Sequence, residues 1–446
     1  MNQENSLFRH LIVSCTIVLA LAASASAQDL SPKFDEYLNA VAKNGFTGAA
    51  LVARDGKVLF AKGYGKANEE WDLPNTPQTK FRLGSVTKQF TAAAIMLLQE
   101  RGKLSVNDPV CKYFSNCPAA WSEITVYHLL THTGGLPNFT ALPDYVPNMH
   151  APVTNDSLIA RFKDKPLNFK PGEKMSYSNS GYFTLGVIIE KVSGESYENF
   201  LQKNIFEPLK MTNTGYDRHE YILKNRATGY SLRNGKRVNS TYLDMTQPGA
   251  AGALYSTVED LFLWNEALFN DKLLAAKSRE AMTTAFKNNY GFGLGMNQVH
   301  NRPMVSHGGG INGFNTMLAR FPAEKLTIVV LRNADYGTPG PGPISQTLAA
   351  IALGEKYELP RERVAIKVDS KLTDAYQGEY QLGPNVTVTI SKAGEQLYAQ
   401  LTGQLRFEIY PEAETKFFLK VIDAQNSFVK DDKGQVTLDL ASGRQP

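Results

Sequence analysis

Cysteine is scarce in this chain: three residues in 446, at positions 15, 111 and 117. The C-x5-C spacing of the last two matches neither zinc sites nor thioredoxin-type redox motifs, which argues against a thiol-built metal or redox centre. No H-E-x-x-H and no G-x-S-x-G occurs, which removes zincins and the nucleophile-elbow hydrolases. Charge of one sign is lacking too. A formal net charge of +4 is too mild to point to nucleic acid or an anionic membrane surface. Beyond the first thirty residues no apolar run approaches the ~18 residues of a membrane span. There is no internal repeat and no low-complexity tract.

What is present begins with a leader. Arg9 and His10 precede an apolar stretch that ends in Ala25-Ser26-Ala27, the pattern of a secretory signal peptide (residues 1–27) cleaved after Ala27. Ile12-Val13-Ser14-Cys15 also fits a bacterial lipoprotein box, but too few apolar residues precede Cys15 for an h-region. The expectation is therefore a secreted or periplasmic protein with no stable membrane span. Cys111 and Cys117 would remain after cleavage, either as a small disulfide loop or as two free thiols. Composition, 43% hydrophobic and 20% charged, suits a globular chain with two or three cores.

Along the chain, residues 31–43 place Phe34, Leu38 and Val41 on one helical face. Two β-rich runs, Thr47–Arg54 and Lys57–Ala61, flank Asp55-Gly56, a hairpin signal. The region from about 100 to 290 reads mostly as helices and loops. Met317–Phe321 and Leu326–Arg332 read as an antiparallel pair, and Ile344–Leu353 as a closing helix. Strands at both ends with a helical middle predict an α/β domain over 28–354, its antiparallel sheet assembled from the two termini and flanked by helices, with a helical insertion. Residues 355–371, charged and carrying Pro360, read as a linker. From 372 to 446 short alternating runs separated by turns predict a small antiparallel β-barrel or sandwich.

Three motifs carry chemistry. Ser85 and Lys88 lie at i and i+3 at the start of a helix-forming stretch, Ser85 at an N-cap or first-turn position. Burial and the positive helix end both disfavour a protonated lysine, so Lys88 can accept the Ser85 proton. Tyr177 and Asn179 follow a Pro171-Gly172 turn; the phenol can relay a proton if a nearby lysine lowers its pKa, and the amide can hold a substrate carbonyl. His307-Gly308-Gly309-Gly310 can let a substrate lie along a strand edge. The Gly310 N–H, with that of Ser85, can form an oxyanion hole.

This order of S-x-x-K, Y-x-N and H-x-G resembles the serine β-lactamase and penicillin-binding protein superfamily, and most of all its class C-type branch with D-aminopeptidases and esterases. Supporting blocks include FRLGSVTKQFTA, ITVYHLLTHTGGLP, PGEKMSYSNSGY, GALYSTVEDL, YGFGLG and HGGGINGF. The resemblance implies a β-lactamase/transpeptidase-like fold and an exported serine hydrolase that uses no metal or cofactor. It implies Ser85 as acylated nucleophile, Lys88 as its proton acceptor, and Tyr177 as the base for the deacylating water. Asn179, His307, Gly309 and Gly310 would bind substrate, an amide or ester: small peptides, D-residues included, come ahead of esters, with β-lactams third, and the alternative is a non-hydrolytic penicillin-binding sensor or scaffold. His307 and Gly308 stand where relatives usually carry a lysine and a hydroxyl, which weakens carboxylate capture. An ordinary imidazole there would charge below about pH 6 and attract a carboxylate. His128 and His132 are expected to be structural, beneath the active-site loop. Lys210 stands where the family often has glycine. Oligomeric state is left open.

Overall fold

The computed structural model describes residues 29–233, 236–360, 365–383, 386–402, 406–419, 424–430 and 436–442. The expected leader and the alternative box at Cys15 lie outside them.

The N-terminal helix α1 is Ser31–Lys43, and it buries Phe34, Tyr37, Leu38 and Val41 along one stripe. Strands β1 (Gly48–Arg54) and β2 (Lys57–Tyr64) form the expected hairpin, with Asp55 and Gly56 at φ 51° and 73°, as a tight turn between twisted strands requires. Helix α2 is Thr87–Glu100 and helix α3 is Asn179–Ser193, closed by Gly194 at φ 74°. Strands β3 (Gly295–Val299), β4 (Arg302–Ile311), β5 (Phe314–Phe321) and β6 (Leu326–Arg332) follow, then helix α4 (Pro341–Leu353). The sheet runs β3-β4-β5-β6-β1-β2, antiparallel throughout, so the strands of the two termini meet at the β6–β1 pairing.

β1 and β6 alternate between two cores. Ala49, Leu51, Ala53, Val329 and Leu331 face the helical insertion. Ala50, Val52, Ile328 and Val330 face α1 and α4. Period-2 alternation with both faces apolar is what a sheet covered on both sides demands. α2 is buried all round from Thr87 to Leu98 and forms the spine of the larger core, with Phe90 4.1 Å from Trp264.

The glycines Gly308–Gly310 lie inside strand β4, paired with Met317, Thr316 and Asn315 of β5. Cys111 and Cys117, left open above, form a disulfide beside the larger core.

Beyond Gly354 a short helix, Ser370–Ala375, is capped by Asp369. Seven strands between Gly378 and Ser442 then pair strictly in sequence order as one antiparallel sheet. Among the described residues these strands make one barrel-like sheet. Its separate core is built on Tyr376, Ile390, Ile409, Phe417 and Phe428, with Tyr376 stacked on Phe428 at 4.1 Å.

Candidate active site

Ser85 occupies a 3-10 turn, Gly84–Val86, that leads into α2, and its side chain makes no cap. Of the two positions expected for Ser85, N-cap or first turn, Val86 takes the N-cap of α2 and Ser85 lies in the helical turn that leads into it, its hydroxyl within reach of Lys88. Gly84, at φ 54°, is required by the close approach of β4; a Cβ there would sit 3.0 Å from the Gly310 nitrogen and oxygen. Thr316 Oγ1 donates to Leu83 O at 2.8 Å and locks the turn to the sheet. β3 pairs with β4 only as far as Ser306. Residues 307–311 therefore carry no β3 partner on the edge beside Ser85, and that edge is open to an added extended chain.

Lys88 is fully buried. Its Nζ is 3.0 Å from Ser85 Oγ, 2.9 Å from Asn179 Oδ1 and 2.8 Å from Ala251 O. Burial pulls its pKa well below the ordinary lysine range. An uncharged amine has a lone pair for the Ser85 proton, and the two oxygen acceptors orient its own hydrogens. Ala251 O is delivered by a tight packing of α3: a Cβ on Gly186 would lie 2.4 Å from Ala250 Cβ.

Tyr177 lies over Lys88, with the amine 4.8 Å from the ring centre. The residue is 37% exposed, yet its hydroxyl is turned inward to Ser85, whose hydrogen bond lowers the phenol pKa against a larger upward push from burial. The net shift is upward. This corrects the expected lysine-lowered phenol: burial outweighs the one opposing contact, the Ser85 hydrogen bond. Asn179, first residue of α3, accepts from Lys88 and donates Nδ2–H to Thr140 Oγ1 at 3.1 Å.

His307 is buried in β4, its Nε2 2.9 Å from the Tyr290 hydroxyl and its Nδ1 2.6 Å from Gly308 O. Burial first, then charge on Lys88, brings its pKa down to about 4, against the opposing Gly308 carbonyl. The expected charging below pH 6 is thereby corrected. Gly309 and Gly310 follow along the strand, Gly310 exposed at the open edge.

Sequence reasoning missed Tyr290 as a site residue and put His132 beneath the site. The imidazole of His132 lies 4.2 Å from Tyr177, 4.9 Å from Tyr290 and 5.0 Å from Tyr182, ring to ring. His128 stays structural: its Nδ1 accepts the Thr125 N–H in a capping box. The quoted YGFGLG block held the signal for Tyr290. Lys210 has φ 59°, a left-handed backbone that glycine adopts without strain, so its departure is conformational. Among the described residues no cluster of His, Cys, Asp and Glu could hold a metal, and no helix is long and apolar enough to cross a membrane.

The family described as Beta-lactamase matches residues 34–352, and a Domain of unknown function (DUF3471) matches residues 362–441. A penicillin-binding protein of Bacillus subtilis (strain 168) is 31% identical over 86% of this chain and 90% of its own. The structure of the octameric penicillin-binding protein homologue from Pyrococcus abyssi superposes with a TM-score of 0.67 at 28% identity, covering 92% of this chain and 95% of that one. The D-stereospecific amidohydrolase from Streptomyces sp. superposes with a TM-score of 0.62 at 26% identity, over 73% of this chain and 99% of that one. With the helix-borne Ser85–Lys88 pair set against an open strand edge, these matches have one meaning: the chain belongs to the beta-lactamase family of serine hydrolases.

Proposed function

We propose that this hydrolase cleaves amide or ester bonds of small peptides or aminoacyl compounds, D-residues included, through an acyl-enzyme on Ser85. The observation that carries the proposal is the buried Lys88 amine 3.0 Å from Ser85 Oγ, its pKa pulled down by that burial. Ser85 Oγ attacks the substrate carbonyl as its proton passes to Lys88 Nζ. The oxyanion is met by the N–H groups of Ser85 and Gly310. The C–N or C–O bond then breaks, and the leaving group takes a proton from the Lys88 ammonium through the Tyr177 hydroxyl. In deacylation water adds to the ester, its proton travels the reverse way by Tyr177 to Lys88, and Ser85 leaves with a proton restored. Tyr177, a neutral phenol, relays protons and does not store a negative charge.

The likeness to the D-stereospecific amidohydrolase supports amides over β-lactams. The neutral His307 supports substrates without a carboxylate at the cleaved end. The test is turnover of D- and L-aminoacyl amides, p-nitrophenyl esters, D-Ala-D-Ala peptides and a chromogenic cephalosporin, with intact mass read during reaction. Amides or esters should turn over through a transient Ser85 adduct. A stable adduct without turnover on every substrate would instead describe a sensor.

Export belongs to the same reading: the leader pattern and the Cys111–Cys117 disulfide both suit an oxidising compartment. The mature N-terminus should be Gln28, and denatured, unreduced protein should show no titratable thiol. An intact Met1, or two thiols, would overturn it.

A further inference from the structure

We propose that His132 is the positioning residue for Tyr177, holding the backbone on both sides of it so that the phenol stays on Ser85. His132 O accepts the Ser176 N–H at 2.9 Å, and His132 Nδ1 accepts the Ser178 N–H at 3.2 Å. Tyr177 is the residue between those two donors. Its ring rests against the imidazole at 4.2 Å, with 38° between the planes. One residue thus fixes the loop that carries the phenol and the ring itself from one face.

The chemistry of the imidazole distinguishes this role from plain packing. Acceptance of an N–H at Nδ1 puts the proton of the neutral ring on Nε2. That Nε2 is buried and has no hydrogen-bond partner among the described residues. An unpartnered buried N–H costs stability, and a phenylalanine would fill the space between Tyr177, Tyr182 and Tyr290 without that cost. What the imidazole adds at this place is the acceptor for Ser178. The backbone agrees: His132 has φ 58°, a conformation that histidine and asparagine adopt far more readily than bulky apolar residues. The groups facing the ring that can carry charge are Lys88 and His307, with the three tyrosines around it, and a protonated His132 would lose the Nδ1 acceptor.

This inference rests on Tyr177 as the proton relay, so the test separates the two in a double-mutant cycle on the full chain. The variants are Tyr177→Phe, His132→Gly and His132→Asn, with each His132 variant also made in the Tyr177→Phe background. Glycine tolerates the backbone and removes the acceptor; asparagine tolerates it and keeps an oxygen near the Nδ1 position. The readouts are kcat and KM on a p-nitrophenyl ester, with circular dichroism to confirm folding. Tyr177→Phe should lower kcat about 10²-fold. His132→Gly should lower kcat by about 10–10² with KM within about threefold of wild type. It should cost less than about threefold further in Tyr177→Phe, and His132→Asn should recover most of the loss. Equal factors in both backgrounds, or asparagine no better than glycine, would overturn the positioning role. An unimpaired Tyr177→Phe would overturn the relay reading and this inference with it. If His132→Gly does not fold, His132→Ala, which also removes the acceptor, is compared in the two backgrounds by the same rule.

Discussion

Tyr290 gives its hydroxyl proton to His307 Nε2 across 2.9 Å, and the other ring nitrogen faces Gly308 O at 2.6 Å. A carbonyl only accepts, so Nδ1 carries the imidazole proton and Nε2 is the acceptor. Both nitrogens are thus committed inside the protein, and the ring is held neutral down to a pKa of about 4. Relative kcat/KM for substrates with and without a carboxylate on the leaving side should therefore stay flat between pH 8 and 5.5. A rise of more than about threefold over that window would mean an imidazole that charges near its ordinary pKa of about 6.5.

Ser85→Ala should abolish labelling by a fluorophosphonate with the fold intact, and Lys88→Ala should slow acylation by about 10²–10⁴. Labelling of the first at full stoichiometry, or acylation of the second within threefold of wild type, would remove the assigned roles.

Lys88 also sets a pH dependence of stability. Burial holds the pKa of the folded amine well below that of the unfolded chain, about 10.4. The unfolded state binds the extra proton, so stability contributed at this site rises with pH. The Tm of Lys88→Met minus that of wild type should shrink steadily from pH 7 to 9.5. A gap that is constant or widens would show that Lys88 is charged in the fold.

Two adjacent glycines should behave differently. A Cβ on Gly309 would lie 2.0 Å from Leu83 O and 2.3 Å from Thr316 Oγ1, the pair that ties the Ser85 turn to the sheet. Gly309→Ala should cost about 1–3 kcal/mol and at least about tenfold in kcat. A Cβ on Gly310 would meet only Asn315 Oδ1, at 3.3 Å, so Gly310→Ala should stay within about 0.5 kcal/mol of wild type. Equal denaturation midpoints for the two variants would contradict this account.

Lys210→Gly relieves a left-handed backbone on the exposed surface and should stabilise by about 0.5–1 kcal/mol with kcat unchanged. A lower denaturation midpoint would show that the lysine side chain earns its place by other contacts.

What was legible in the sequence was local. The Asp55-Gly56 hairpin, the helix after Ser85, the strands flanking Pro322–Lys325 and the runs after 372 each declare themselves within a short window. Ser85 and Lys88 share one helical turn, and Tyr177 and Asn179 one loop, so they were found as pairs. The unread part is long-range. Ala251 O has no side-chain signature, and only the packing of Gly186 on Ala250 brings it to Lys88. The downward shift of His307 depends on burial and then on Lys88, and the upward shift of Tyr177 on burial; spacing encodes neither. The glycines after His307 hid a strand, because β propensity falls with each one while the pairing to Asn315–Met317 holds it.

The pairing of β1 with β6 fixes when this enzyme becomes an enzyme. β1 is among the first segments made, yet one of its two neighbours, Leu326–Arg332, is among the last of the domain. The contact that locks the nucleophile turn joins residues 233 positions apart. Such separations raise contact order and delay the closing step of folding. A nascent chain that ends before Leu326 holds Ser85, Lys88, Tyr177 and His307 without a finished sheet to align them. It should fail to react with a fluorophosphonate, which keeps hydrolytic chemistry silent until synthesis of the domain is nearly done.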